Sequence, residues 1–189
     1  MLEGHQVRLR PMEVSDLERA YTWINDPEVT RYLESGRYPL SRADERRWLE
    51  EQQTNSFANG VNLAIETKDG AHIGNIGLLR VRPEDRKAGL GIMIGEKDYW
   101  SNGYGTDAIV VLLRFAFGEM NLHRVWLTVD ACNERAIACY RKCGYQEEAR
   151  LRQDRYTAGR YWDTIFMGVL RDEFDALHGT KQNGEEEEG

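Results

Sequence analysis

Gly91-Ile-Met-Ile-Gly95-Glu-Lys-Asp-Tyr-Trp100-Ser-Asn-Gly103-Tyr-Gly105-Thr106-Asp-Ala108 is where the chain changes character. Gly91 to Gly95 is short, apolar and rich in β-branched residues, as a buried strand requires. Gly103 and Gly105 supply backbone conformations and close approaches that other residues resist. From Thr106 the run Thr-Asp-Ala-Ile-Val-Val-Leu-Leu-Arg-Phe-Ala-Phe predicts a largely apolar helix ending near Gly118. A strand that runs into such a turn and then a helix directs several backbone N–H groups outward at a helix N-terminus. That makes an anion site, most often for phosphate, strengthened by about half a positive charge from the helix dipole. The plainer reading is an ordinary strand-to-helix turn.

The flanking segments set the turn in a mixed α/β sheet. Val7 to Arg10 alternates as a first strand, and Ser15 with Glu18 has capping-box spacing for a helix carrying Leu17, Ala20, Tyr21 and Ile24. Asn25-Asp-Pro27 ends that helix. Glu28 to Leu40 reads as a loop or short helix, and Ser41 to about Gln53 as a second helix. Val61–Thr67, His72–Val81 and the strand ending near Gly95 are joined by Lys68-Asp69-Gly70 and Pro83–Lys87, an antiparallel meander. Gly74 and Gly77 mark bulges or close approach. The long helix and the strand His123–Val129 then make a right-handed parallel crossover. Glu134 to Cys143 predicts a helix stopped by Gly144. Gln146–Leu151 and Tyr161–Leu170 close the sheet. Residues 1–178 read as one domain, and 179–189 as an acidic, disordered tail.

Two motifs carry a family resemblance: Trp100-Ser-Asn-Gly103-Tyr-Gly105-Thr106, and downstream Asn133-Glu-Arg-Ala-Ile-Ala-Cys-Tyr140-Arg-Lys-Cys-Gly144-Tyr145. Together, over residues 5 to 174, they resemble the GNAT N-acetyltransferase superfamily, and within it the subgroup of ribosomal-protein-alanine and spermidine acetyltransferases. The resemblance implies the GNAT fold with splayed central strands, and acetyl transfer from acetyl-CoA to a primary amine. It implies that the amides of Ser101, Asn102, Gly103, Tyr104, Gly105 and Thr106 hold the pyrophosphate. The backbone of Ile92, Met93 and Ile94 would pair with the pantetheine arm, and the Asn133 side chain would bond it. Many members carry Arg or Gln where Trp100 stands, a departure softened by the turn's working through backbone. Asn133 also suits a plain N-cap.

The resemblance makes Tyr140 the acid that protonates the leaving thiolate. A phenol of pKa ~10 suits a thiol of ~8.5; the plainer reading is a core aromatic. Related enzymes place a glutamate base at the position of Thr128. Asp130, two residues on, is the alternative base, or else a solvated strand-end carboxylate. At pH 7 deprotonation costs about 1 kcal/mol for an α-amine and about 4.6 kcal/mol for an alkyl amine. A site without a strong base therefore leans toward a protein N-terminal α-amine. The spermidine members carry an acidic cluster where this chain has Glu28, Arg31, Glu34 and Arg37, which sets polyamine acetylation back. Arg31, Arg37 and Arg152 would instead meet an anionic acceptor, such as a carboxylate or a sugar nucleotide, or stand as solvated charges.

Composition narrows the rest. Net charge is −7, and Glu185 to Glu188 carry four of those charges, which disfavours nucleic acid. No apolar run reaches the ~18 residues of a membrane span, and Met-Leu-Glu-Gly-His is no signal peptide. Three cysteines, Cys132, Cys139 and Cys143, include no CxxC pair, so neither a disulfide frame nor a metal site is indicated. Cytoplasmic location follows. Cys139 and Cys143, on one helix face, read as buried small hydrophobes. A homodimer is expected from the resemblance alone. Two rivals stay open: a dinucleotide-binding protein, because Gly103-x-Gly105-x-x-Ala108 matches a relaxed fingerprint with Asp130 ending the next strand, and a non-catalytic CoA-binding module.

Overall fold

The computed structural model describes residues 1–33, 38–54 and 60–179. Its strands are β1 (Leu2–Glu3), β2 (Val7–Pro11), β3 (Gly60–Thr67), β4 (His72–Arg82), β5 (Lys87–Ile94), β6 (Arg124–Asp130), β7 (Gln146–Thr157) and β8 (Arg160–Leu170). Its helices are α1 (Leu17–Ile24), α2 (Arg42–Thr54), α3 (Tyr104–Gly118), α4 (Glu134–Lys142) and α5 (Arg171–His178). The strands form one sheet in the order β1-β2-β3-β4-β5-β6-β8-β7. Every neighbouring pair is antiparallel except β5 and β6. The predicted mixed sheet, meander and crossover are therefore present. A sheet with one parallel pair is not doubly wound, and this removes the dinucleotide-binding reading.

Strand alternation sends neighbouring residues to opposite layers. Ile65 packs with α3, while Ala64 packs with Met12, Leu17, Ala20 and Leu49 beneath α1 and α2. The α3 helix is apolar on nearly every side because it is covered on nearly every side. Ala108 through Leu113 are all buried, and Phe117 meets Phe174 of α5 with ring centroids 5.3 Å apart. Each such fully buried aliphatic or aromatic side chain contributes about 1.5–3 kcal/mol.

Several boundaries differ from the sequence reading. The first helix is not capped by Ser15 and Glu18. A short 3-10 turn, Val14–Asp16, precedes it, and the Glu13 N–H donates to Asp16 Oδ2 at 2.9 Å. The α3 helix opens at Tyr104, two residues early. The strand β1 and the helix α5 were not anticipated, and β7 runs to Thr157 rather than Leu151. Arg37 and Glu34 lie outside the described residues, as does the tail from residue 180.

A buried polar knot ties α1 to the sheet. The Arg10 guanidinium donates to both Asp16 carboxylate oxygens at 2.8 Å and to Glu66 at 2.7 Å. His72 Nδ1 lies 3.2 Å from Asp16, and its ring meets Trp23 edge-on at 4.8 Å. Burial alone would raise the Asp16 carboxyl, but the bonds from Arg10, His72 and the Glu13 N–H outweigh it and hold the group well below the ordinary carboxylate range. A depressed native pKa stabilises the fold above the unfolded value, near pH 4, and that contribution fades as pH falls through the native value. Asp16→Asn should therefore cost roughly 3 kcal/mol at pH 7. Urea titrations should show the gap between wild type and variant closing below about pH 4; a gap constant from pH 7 to pH 3 would remove Asp16 from the account.

Candidate functional site

The site begins where β5 and β6 stop pairing. Only Lys87–Gly89 face Arg124–Trp126 in register. Beyond them β5 stays with β4 as far as Ile94, and β6 stays with β8 as far as Asp130, so a wedge opens between the two strands. Its closed end is pinned by Arg86, whose carbonyl accepts from His123 and Arg124 N–H and whose guanidinium bonds Asn121 twice at 2.8 Å. Trp126 fills the vertex, and a Cβ on Gly89 would stand 3.2 Å from its ring. The sequence reading missed Arg86; no local pattern announces a clamp made with a residue 35 positions away.

A cleft of about 380 Å³ follows the open end of this wedge, lined among others by Ile92, Met93, Ile94, Asn133 and Tyr140. Gly95 N–H bonds Ile73 on β4, so alternation turns the backbone of Met93 toward β4 and that of Ile92 and Ile94 toward the wedge. Met93 is thus no candidate for backbone pairing across the gap. The Ile94 carbonyl is taken by Trp100 Nε1 at 2.8 Å, which leaves its N–H and both groups of Ile92.

At the mouth lies the glycine turn. Gly103 has φ +90° and Ser101 φ +62°, and the first α3 bond runs from Asp107 N–H to the Gly103 carbonyl. The N–H groups of Ser101, Asn102, Gly103, Tyr104, Gly105 and Thr106 have no acceptor among the described residues. Only Gly103 is demanded by conformation. Gly105 lacks a positive φ, and a Cβ there would sit 3.8–3.9 Å from Ile94, Cys139 and Ile92, so it keeps the cleft floor low. Asp107 accepts from the N–H groups of His5, Gln6 and Val7 at 3.1, 2.7 and 3.0 Å, fastening the β1–β2 turn to the same helix end. Two cations unforeseen in the sequence face this mouth. Arg135 lies 4.2 Å over the Trp100 ring, and Lys142 lines the cleft. Both follow Asn133 on α4, where helical spacing alone did not tell inward from outward.

Asn133 caps α4, its Oδ1 accepting from Ala136 N–H at 3.2 Å, while also lining the cleft. Tyr140, two turns on, borders this cleft and a second one, of about 670 Å³, that opens along the other side of the wedge. Burial raises its hydroxyl well above the ordinary tyrosine value, with further contributions from Cys139 and Cys143. Cys143 is buried as expected, but Cys139 lines the cleft wall, 3.2 Å from Thr106 Oγ1. The hydrogen bond between the two thiols lowers Cys139 and raises Cys143.

The second cleft holds Thr128 and Asp130. Asp130 is not solvated: it is 3% exposed and lies 3.3 Å from Arg155 Nε, whose Nη2 donates to the Leu33 carbonyl at 2.5 Å. The anionic-acceptor cluster does not assemble among the described residues. Arg31 is exposed and stacked on Tyr32, and Arg152 is exposed on β7. No group of metal-binding side chains occurs among the described residues, and no described helix is long and apolar enough to cross a membrane.

Comparison with known proteins meets this geometry. The model of the acetyltransferase (GNAT) domain matches residues 6–146. The chain is 31% identical to the SPbeta prophage-derived uncharacterized N-acetyltransferase YokL of Bacillus subtilis, covering 93% of this chain and 96% of that one. It is 29% identical to the spermidine N(1)-acetyltransferase of Escherichia coli K12, covering 95% and 94%. Among solved structures, spermidine N-acetyltransferase from Vibrio cholerae in complex with CoA and spermine superposes with a TM-score of 0.80 at 26% identity, covering 89% of this chain and 98% of that one. A parted parallel pair, a helix that starts in unclaimed amides and a family match across most of the chain lead to one assignment: this protein belongs to the GNAT acetyltransferases and is an acetyl-CoA-dependent N-acetyltransferase.

Proposed function

We propose that the chain acetylates a small-molecule primary amine by direct attack on acetyl-CoA, with residues 1–178 as the working unit and Tyr140 as the acid. The observation that carries this is Tyr140's position on both clefts: a thioester laid in one and an amine entering by the other would meet at its hydroxyl. The pyrophosphate rests on the amides of Ser101 to Thr106, helped by the α3 dipole, Arg135 and Lys142. The pantetheine arm adds as a strand to Ile92 and the Ile94 N–H, with Asn133 beside it.

The amine nitrogen attacks the thioester carbonyl, forming C–N and, as the tetrahedral adduct collapses, breaking C–S. The departing sulfur takes its proton along the hydrogen bond from Tyr140, the nitrogen releases one to solvent, and Tyr140 regains one from solvent, which closes the cycle. Because burial raises the phenol, Tyr140 holds its proton throughout the neutral range and acts first as a hydrogen-bond donor to the developing thiolate. The relatives named for spermidine support an amine acceptor of low molecular weight over a protein N-terminus.

Tyr140→Phe should lower kcat by about 100-fold and leave acetyl-CoA affinity by calorimetry within twofold. In wild type, a raised Tyr140 pKa places any loss of kcat from its ionisation above pH 10, so an alkaline fall centred near pH 8 would assign that proton elsewhere. Gly103→Val forces a β-branched residue to φ +90°, a strain of about 1–3 kcal/mol. It should weaken CoA binding about tenfold or more while the thermal midpoint stays within a few degrees; unchanged affinity would take the glycine turn out of the site.

A further inference from the structure

Arg10, Arg19, Arg42, Arg124 and Arg150 each lie against a carboxylate. Arg135, the second residue of α4, has no ion pair among the described residues and lies instead 4.2 Å over the Trp100 ring. Arg31 and Arg160 are also stacked on rings, but neither lines the cleft at which Arg135 stands. A carboxylate would hold the guanidinium and cancel its charge. An aromatic face holds it through the ring quadrupole and leaves the charge and the fork of N–H groups for an anion.

The ring is itself held. Trp100 follows the single 3-10 turn Lys97–Tyr99, and its backbone N–H donates to the Lys97 carbonyl at 3.0 Å. Its indole Nε1 donates to the Ile94 carbonyl at 2.8 Å, so the end of β5 sets the plane of the indole. Ser101, the first residue of the glycine turn, is bonded directly to Trp100. One side chain therefore links the end of the wedge, the unclaimed amides and the first turn of α4. Lys142, seven residues along α4, lines the same cleft without a cation–ring contact among the described residues.

Resting on the reading of the glycine turn as the CoA site, we propose that Trp100 is a positioning residue for the cofactor, holding Arg135 with its charge uncancelled against the nucleotide diphosphate. The contacts run in series. The Ile94 carbonyl fixes the indole, the indole fixes the guanidinium, and the guanidinium meets the anion.

The test is a double-mutant cycle, read by calorimetry with CoA. Arg135→Gln should weaken CoA about tenfold in the wild-type background and less than about twofold in Trp100→Leu, where nothing holds the guanidinium. Lys142→Gln should cost the same factor in both backgrounds. In thiol-release assays the preference for acetyl-CoA over acetylpantetheine, which lacks the diphosphate, should shrink about tenfold in Arg135→Gln and in Trp100→Leu, through the KM of the donor rather than that of the amine. If Trp100→Leu does not fold, Trp100→Phe takes its place. It keeps a ring and loses the indole N–H, so Arg135→Gln should cost about threefold there. An equal cost of Arg135→Gln with and without the Trp100 substitution, or a preference for acetyl-CoA that survives both single variants, overturns the positioning role and leaves the glycine turn as the CoA site. Absence of CoA binding by wild type would sink that reading of the turn as well.

Discussion

The parting of β5 and β6 is the constraint on which the site depends. Three paired residues hold the strands together, and everything useful happens where they separate. A sheet interior leaves no backbone group unpaired without a cost of about 1–3 kcal/mol each. The wedge therefore persists only because its closed end is over-determined. Arg86 bonds across it, Trp126 fills the vertex, and each strand is fully satisfied on its other side by β4 or β8. The same argument explains why an extended ligand suits the gap: it restores the missing ladder.

The glycine turn sits at the wedge mouth for a topological reason. A right-handed crossover from β5 to β6 must place the N-terminus of α3 at the C-terminal ends of those strands. The one acid in the first turn of α3, Asp107, points the other way and is consumed by three amides of the β1–β2 turn. The ligand side of the helix end therefore stays positive, with Arg135 stacked on Trp100.

Much of this was legible in the sequence because it is local. Hairpin turns, strand alternation, the helix stop at Gly144 and the two motifs of the crossover all lie within short windows. What was not legible depends on pairing at a distance. Asp130 read as a solvated carboxylate because nothing nearby marks Arg155, 25 residues on and on a different strand, as its partner. The Ser15 cap failed because Asp16 is claimed by Arg10 and His72 from the sheet. Met93 differs from Ile92 only in strand parity, which needs the register with β4.

The base that the sequence lacks at Thr128 is less of a problem in this structure than it is on paper. Asp130 is committed to Arg155, and Arg155 in turn holds Leu33 on the wall of the second cleft, so drawing a proton onto that carboxylate would loosen the wall itself. The second cleft offers another route. Leu33, Ile92, Val129 and Phe166 line one side of it, with Arg80, Asp130, Asp154 and Arg155 also on its walls, and an amine held against the apolar side is disfavoured in its charged form. Each unit by which the ammonium pKa falls removes 1.36 kcal/mol from the deprotonation cost. Three units of desolvation would bring an alkyl amine close to the cost of an α-amine in water. The missing glutamate therefore does not favour a protein N-terminus over a small alkyl amine. It moves the demand onto the acceptor's other contacts, which must hold it against the apolar side of the cleft long enough to react.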